Sequence, residues 1–134
     1  MILNPDSIKP IYLQIAEWLE AEILKENLKE DERIYSQYQL ADIFNINPAT
    51  AAKGLNLLAD ENIVYKKRGL GMYVSHQAKQ YILDKRKNQI LNQMVTELVA
   101  EAKRLEVEEQ ELLKMIAQAQ EEYEMQGGTG DECY

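Results

Sequence analysis

Lys66, Lys67 and Arg68 stand side by side in "IVYKKRGLGMYV", with Gly69 and Gly71 close behind them. Adjacent cations of this kind can neutralise phosphates, because each Lys or Arg that meets a phosphate releases a condensed counterion. The two glycines let backbone come close to a ligand. Upstream, "NINPATAAKGLNLL" offers Asn47, Ala49, Thr50, Ala52, Lys53 and Asn56, a set of amides, one hydroxyl, one cation and small methyl groups. Amides and hydroxyls can bond base edges, and an alanine can touch a thymine methyl. The chemistry on offer is recognition of a nucleic acid rather than the making or breaking of bonds.

Bond-making chemistry has little to draw on. His76 is the single histidine and Cys133 the single cysteine. This argues against histidine-based metal sites, a Ser-His-Asp triad and an internal disulfide. No phosphate-cradling glycine loop and no nucleophile and base pair appear, so an enzyme is not expected, nor is a cofactor or a metal. The acids of "VEEQE" read as a solvated helix face. No apolar run approaches the ~18 residues of a membrane span. The first residues lack a secretory signal pattern, so no membrane partner is expected and a cytoplasmic location is.

A formal charge of −8 over 134 residues argues at first against a polyanionic partner. Distribution resolves this. Between Arg33 and Val74, 5 basic residues (Arg33, Lys53, Lys66, Lys67, Arg68) face 3 acidic ones (Asp42, Asp60, Glu61). The positive charge is concentrated where the candidate contacts lie. By itself a charge run is a solvated face; its place beside a particular helix gives it meaning.

The elements that must position these residues follow from local chemistry. Pro10 can open a helix over residues 11–26, where Tyr12, Ile15, Ala16, Leu19 and Ile23 recur at helical spacing. Ser36 followed by Gln39 fits a capping box, starting a second helix, Gln37–Phe44, with Leu40, Ala41, Ile43 and Phe44 on its buried side. Asn47 as N-cap and Pro48 at the first helical position start a third helix at once. So short a link forces a steep crossing, the geometry of a helix-turn-helix. Ala51, Leu55 and Leu58 give the third helix a buried stripe, opposite an almost flat face of Ala49, Ala52, Lys53 and Asn56. Small residues could serve close helix packing, or let this helix lie deep in a major groove about 12 Å wide. Asn62 is placed to end it in a left-handed conformation. Residues 63–65 and 72–74 then flank a glycine-containing basic turn, a hairpin signal, and a hairpin after a helix-turn-helix is a wing.

From residue 77 the sequence is helix-forming, with a stumble of register near Glu106 and Val107 that predicts two helices. Leu91, Met94, Val95, Leu98, Ala102 and Leu105, then Leu112 and Ile116, mark apolar stripes whose simplest partner is a second copy of the chain. The expected fold class is mainly α with a small β-hairpin wing (α+β), a winged helix-turn-helix followed by a helical dimerisation arm. The expected divisions are a winged domain at 1–75, the arm at 76–125 and a disordered tail at 126–134.

"PIYLQIAEWLEAEIL" and "SQYQLADIFNINPATAAKGLNLLADENIVYKKRGLGMYV", taken in order, resemble the N-terminal winged-helix domain of GntR-type bacterial transcription regulators. The short helical remainder is similar to the YtrA subfamily, in which a two-helix tail serves mainly for dimerisation. The resemblance implies a homodimer that binds double-stranded DNA at an inverted-repeat operator, usually as a repressor. It leaves the operator, the regulated genes and any small-molecule effector unnamed. Ser36 matches the family serine that commonly touches backbone phosphate, and Thr50 a threonine near the start of the third helix. Lys53 and Gly71 match a recurrent backbone-contacting lysine and the wing glycine that approaches the minor groove. Tyr38, Pro48 and Ala52 stand where members of the family carry base-reading or DNA-contacting arginines. The implied contact set is Ser36, Gln37, Tyr38, Asn47, Ala49, Thr50, Ala52, Lys53, Asn56, Lys66, Lys67, Arg68, Gly69 and Gly71. With few guanine-reading arginines, an A/T-leaning site is expected. The alternative is a winged-helix protein-interaction module that has lost DNA binding.

Overall fold

The computed structural model describes residues 3–127; residues 1, 2 and 128–134, including Cys133 and most of the expected tail, lie outside the described residues. The chain forms two compact units, Met1–Asp84 and Lys85–Tyr134.

The first unit contains α1 (Ile11–Leu24), α2 (Gln37–Phe44), α3 (Pro48–Asp60), and an antiparallel hairpin of β1 (Val64–Lys67) and β2 (Gly71–Val74). Helix α4 (Ala78–Arg86) follows the hairpin. The expected start signals are made. The Ser36 hydroxyl oxygen accepts the Gln39 N–H at 3.1 Å while Gln39 Oε1 accepts the Ser36 N–H at 2.8 Å. Asn47 Oδ1 accepts the Ala49 N–H at 2.8 Å, with Pro48 inside the first turn of α3. Each bond satisfies a donor that a helix N-terminus leaves without a partner.

Helix ends are equally specific. Glu26, Asn45, Asn62 and Glu106 all have positive φ, between 55° and 64°. Behind α3, the Ile63 N–H reaches the Leu58 carbonyl and the Asn62 N–H reaches that of Ala59, closing the helix as a Schellman turn. Asn62 thus ends the helix as its type predicts.

Ile15, Leu19, Leu40, Ala51, Leu58, Val74, Ala78 and Ile82 have no exposed surface and form one core. Ile82, which lies beyond the expected end of the winged domain at residue 75, belongs to this core. Trp18 caps it on one side, packed edge-on to Phe44 at 5.1 Å and tilted against Tyr35 at 5.8 Å. Ile43 departs from expectation. It is 49% exposed, because an eight-residue helix turned by its steep crossing with α3 buries only Leu40 and Ala41 fully.

Gly54, unremarked in the sequence, faces α1. A methyl group there would stand 2.8 Å from the Tyr12 carbonyl oxygen, so the missing side chain lets the two helix backbones approach. The small residues of α3 therefore serve two purposes on two faces: Gly54 and Ala51 for close packing, Ala49 and Ala52 for a low outer relief.

The second unit holds a π-helical turn (Lys87–Leu91), α5 (Asn92–Arg104) and α6 (Glu109–Met125). The break falls at the expected place, with Glu106 at φ 58° and the Val107 N–H bonded to the Ala102 carbonyl. Ala102 is 7% exposed, unlike the rest of the predicted stripe, because the chain turning at this corner covers it. It is thereby a residue of the arm's own fold. Among the described residues no helix is long and apolar enough to cross a membrane.

Candidate nucleic-acid interface

The hairpin joins β1 to β2 in the register Val64↔Val74, Tyr65↔Tyr73, Lys66↔Met72 and Lys67↔Gly71. Its three-residue turn closes with the Leu70 N–H on the Lys67 carbonyl at 2.9 Å, and it needs Gly69 at φ 77° and Gly71 at φ 100°. A third edge strengthens the wing: Arg33 bridges Tyr73, and the Asp31 and Ile34 N–H groups donate to the Val74 and Met72 carbonyls.

One face of the wing looks toward α2 and α3 across a cleft of about 430 Å³. Its lining gathers most of the residues singled out in the sequence. Ser36, Gln37 and Tyr38 come from the start of α2, Ala52 and Asn56 from α3, and Lys66, Lys67, Arg68, Gly69 and Gly71 from the wing. Tyr38 is 67% exposed at its edge. Ala49 and Lys53 line a neighbouring groove of about 540 Å³ on the other flank of α3, with Tyr12 and Asn56. The Lys53 ammonium lies over the Tyr12 ring, 4.2 Å from its centre, so an aromatic face fixes its direction.

Asn47 and Thr50 line neither cleft. Asn47 is exposed and spends its side-chain oxygen on the helix cap; Thr50 is half-buried. Lys66 and Arg68 are exposed and have no carboxylate partner among the described residues. Lys67 lies over the Tyr73 ring at 4.4 Å. Tyr73 in turn stacks on Tyr65 at 5.9 Å. The Tyr65 hydroxyl donates to Asp31 at 2.9 Å, and this hydrogen bond is the main reason its phenol is held above the ordinary tyrosine range. Burial and the negative charge of Asp31 act in the same direction.

Gly71 has an occupant. A methyl group on it would stand 3.0 Å from Arg33 Nε and 3.3 Å from Nη2, so the space beside this glycine is filled by the Arg33 guanidinium. The sequence motif points to bare backbone there and gives no sign of Arg33, whose position depends on strand pairing across forty residues of chain. The signal available was its membership of the local basic excess. His76, two residues after β2, is exposed and lies 3.1 Å from Glu30. No cluster of His, Cys, Asp and Glu among the described residues is placed to hold a metal.

Comparison with known proteins gives this geometry relatives. The profile of the bacterial regulatory proteins of the gntR family matches residues 11–74. The HTH-type transcriptional repressor YtrA of Bacillus subtilis is 32% identical over 114 residues, which cover 85% of this chain and 87% of that protein. A transcriptional regulator of the GntR family from Bacteroides thetaiotaomicron superposes with a TM-score of 0.72 at 30% identity, covering 84% of this chain and 98% of that one. AraR(DBD), solved in complex with operator ORX1, shares the fold at a TM-score of 0.51 and 23% identity, over 56% of this chain and 93% of its own.

Proposed function

The chain belongs to the GntR family of bacterial regulatory proteins, and from that premise we propose that it is a sequence-specific repressor acting as a homodimer on an inverted-repeat operator. The observation that carries the reading is the cleft between α3 and the wing. On a protein of net charge −8, it collects exposed cations without carboxylate partners beside a helix face of low relief.

In this reading α3 enters the major groove with Ala49, Ala52 and Asn56 toward the bases, Lys53 aimed at a phosphate by Tyr12, and Tyr38 at the edge. Lys66, Lys67 and Arg68 grip the backbone. Methyl and amide contacts, with few arginines on guanine, favour an A/T-leaning site whose shape contributes to recognition. YtrA, named a transcriptional repressor, matches over nearly its whole length, which supports repression as the outcome. AraR(DBD), which shares the fold, was solved on an operator, which supports duplex DNA as the partner.

Dimerisation rests on the second unit. Leu91, Met94, Val95, Leu98, Leu105 and Ile116 are each between 38% and 68% exposed there. Apolar surface of that extent marks an interface. A single winged domain, 1–75, with few cations holds DNA weakly; an arm at 76–125 that joins two copies adds their contacts without a second association cost.

Selection from random-sequence duplexes, followed by fluorescence anisotropy against salt, tests the reading. An A/T-leaning inverted repeat is expected, with affinity falling steeply, the logarithmic slope being on the order of −5 or steeper if six or more phosphates are met. A protein-interaction module would retain no duplex and show no such slope.

A further inference from the structure

We propose that Arg33 is a phosphate anchor of the wing, a DNA-contacting residue outside both the basic run and the helix-turn-helix; the inference rests on the DNA-binding reading above. Arg33 is exposed, and among the described residues its guanidinium has no hydrogen-bond acceptor and no ion-pair partner. Its place on the wing is nevertheless defined. The backbone is pinned by the bridge to Tyr73 and the Ile34 N–H on the Met72 carbonyl, and the side chain lies over Gly71.

A guanidinium without an acceptor, carried on a pinned backbone, breaks no hydrogen bond or ion pair when it meets a phosphate. Gly71, beside which it lies, is the strand partner of Lys67, whose ammonium is directed by the Tyr73 ring. Arg33 also rims a shallow groove of about 470 Å³ shared with Ile34, Tyr35, Ser36 and Gln39. The Ser36 hydroxyl oxygen already accepts from Gln39, which leaves its O–H free to donate. The groove therefore presents a planar fork of N–H donors and one hydroxyl donor, a set that fits the two free oxygens of a phosphodiester. Gly71 has a corresponding role. A methyl group at that position would crowd the guanidinium and make it shift by a few tenths of an ångström, and the φ of 100° already favours glycine there.

The test uses the full chain and a synthetic duplex carrying the site that the unaltered protein selects. Arg33→Gln should weaken binding about a hundredfold, about tenfold for the charge-assisted contact that each protomer loses. The salt slope should become shallower by about 0.9 per protomer, and base preferences should stay unchanged. Phosphate-ethylation interference should lose one position in each half-site. Arg33→Lys should restore the slope while recovering only part of the affinity, because it lacks the fork. Weaker binding with an unchanged slope and an unchanged ethylation pattern would make Arg33 a structural strut and overturn the proposal. If the unaltered protein shows no salt-dependent duplex binding, the DNA-binding reading itself fails and this one with it, a result distinct from a failure at Arg33 alone.

Discussion

The two units treat their apolar residues in opposite ways. In Met1–Asp84, Ile15, Leu19, Leu40, Leu58, Val74 and Ile82 are wholly shielded by the rest of the same unit. In Lys85–Tyr134, Leu91, Met94, Leu98, Leu105 and Leu113 stay between 42% and 68% exposed, and among the described residues only Ala102 is buried. At about 25 cal/mol per Å² of apolar surface removed from water, the first unit gains its stability within one chain. The second leaves the corresponding gain uncollected. Single helices of 13 and 17 residues are marginal in water on their own. The contrast fits the division of labour proposed above: the N-terminal unit buries its own core, and the C-terminal unit keeps an apolar stripe that a second copy would cover.

Breaking that comparison at its weakest point gives the largest expected effect. Leu98 lies on α5 and is 42% exposed. Leu98→Asp would set a charge in the middle of the proposed interface, where an unpaired carboxylate is costly. The variant should sediment as a monomer and bind operator at least about a hundredfold more weakly, the avidity being lost. The thermal transition of the first unit should be unchanged. A dimer that still binds tightly would place the interface elsewhere.

An equally direct break targets the self-sufficient unit. Gly54→Val would drive side-chain atoms into the Tyr12 carbonyl, a backbone group that cannot rotate away. Separating α1 from α3 should cost about 3 kcal/mol, at the upper end of core overpacking. Chemical denaturation would register it as a lower midpoint for the first unit while sedimentation continues to report a dimer. A stability equal to that of the unaltered chain would show that the helices can part without penalty.

What the sequence made legible divides along a physical line. Ser36–Gln39 and Asn47–Pro48 were readable because a cap is a bond between near neighbours, set by side-chain type. The hairpin and the apolar periods were readable for the same reason, and with them the fold. Gly54 and Arg33 were not, since each draws its meaning from a distant partner, the Tyr12 carbonyl and Gly71. Nor could periodicity tell that Ile82 joins the first core or that Ile43 stays outside it. Of the site, the residue types were legible. Which of them share a cleft, and which, like Asn47, are spent on a cap, was set by the crossing of α2 and α3 and by the wing's register.

Helix ends offer the finest instrument for sharpening the comparison, because each unit has a glutamate in the left-handed region, Glu26 at φ 64° and Glu106 at φ 58°. Such a conformation costs a residue with a Cβ roughly 1–2 kcal/mol that glycine escapes. Glycine gives back part of this through the greater freedom of the unfolded chain. The net gain should be about 0.5–1 kcal/mol at either site. Glu26 also lies 3.6 Å from Lys79, so losing that exposed pair trims its gain slightly. Glu106→Gly should therefore stabilise somewhat more, and where it does so is informative. If the arm folds only as a dimer, Glu106→Gly should raise a transition that depends on protein concentration, and Glu26→Gly one that does not. Calorimetry at two concentrations reads the difference; identical, concentration-independent shifts would mean that the arm folds without a partner.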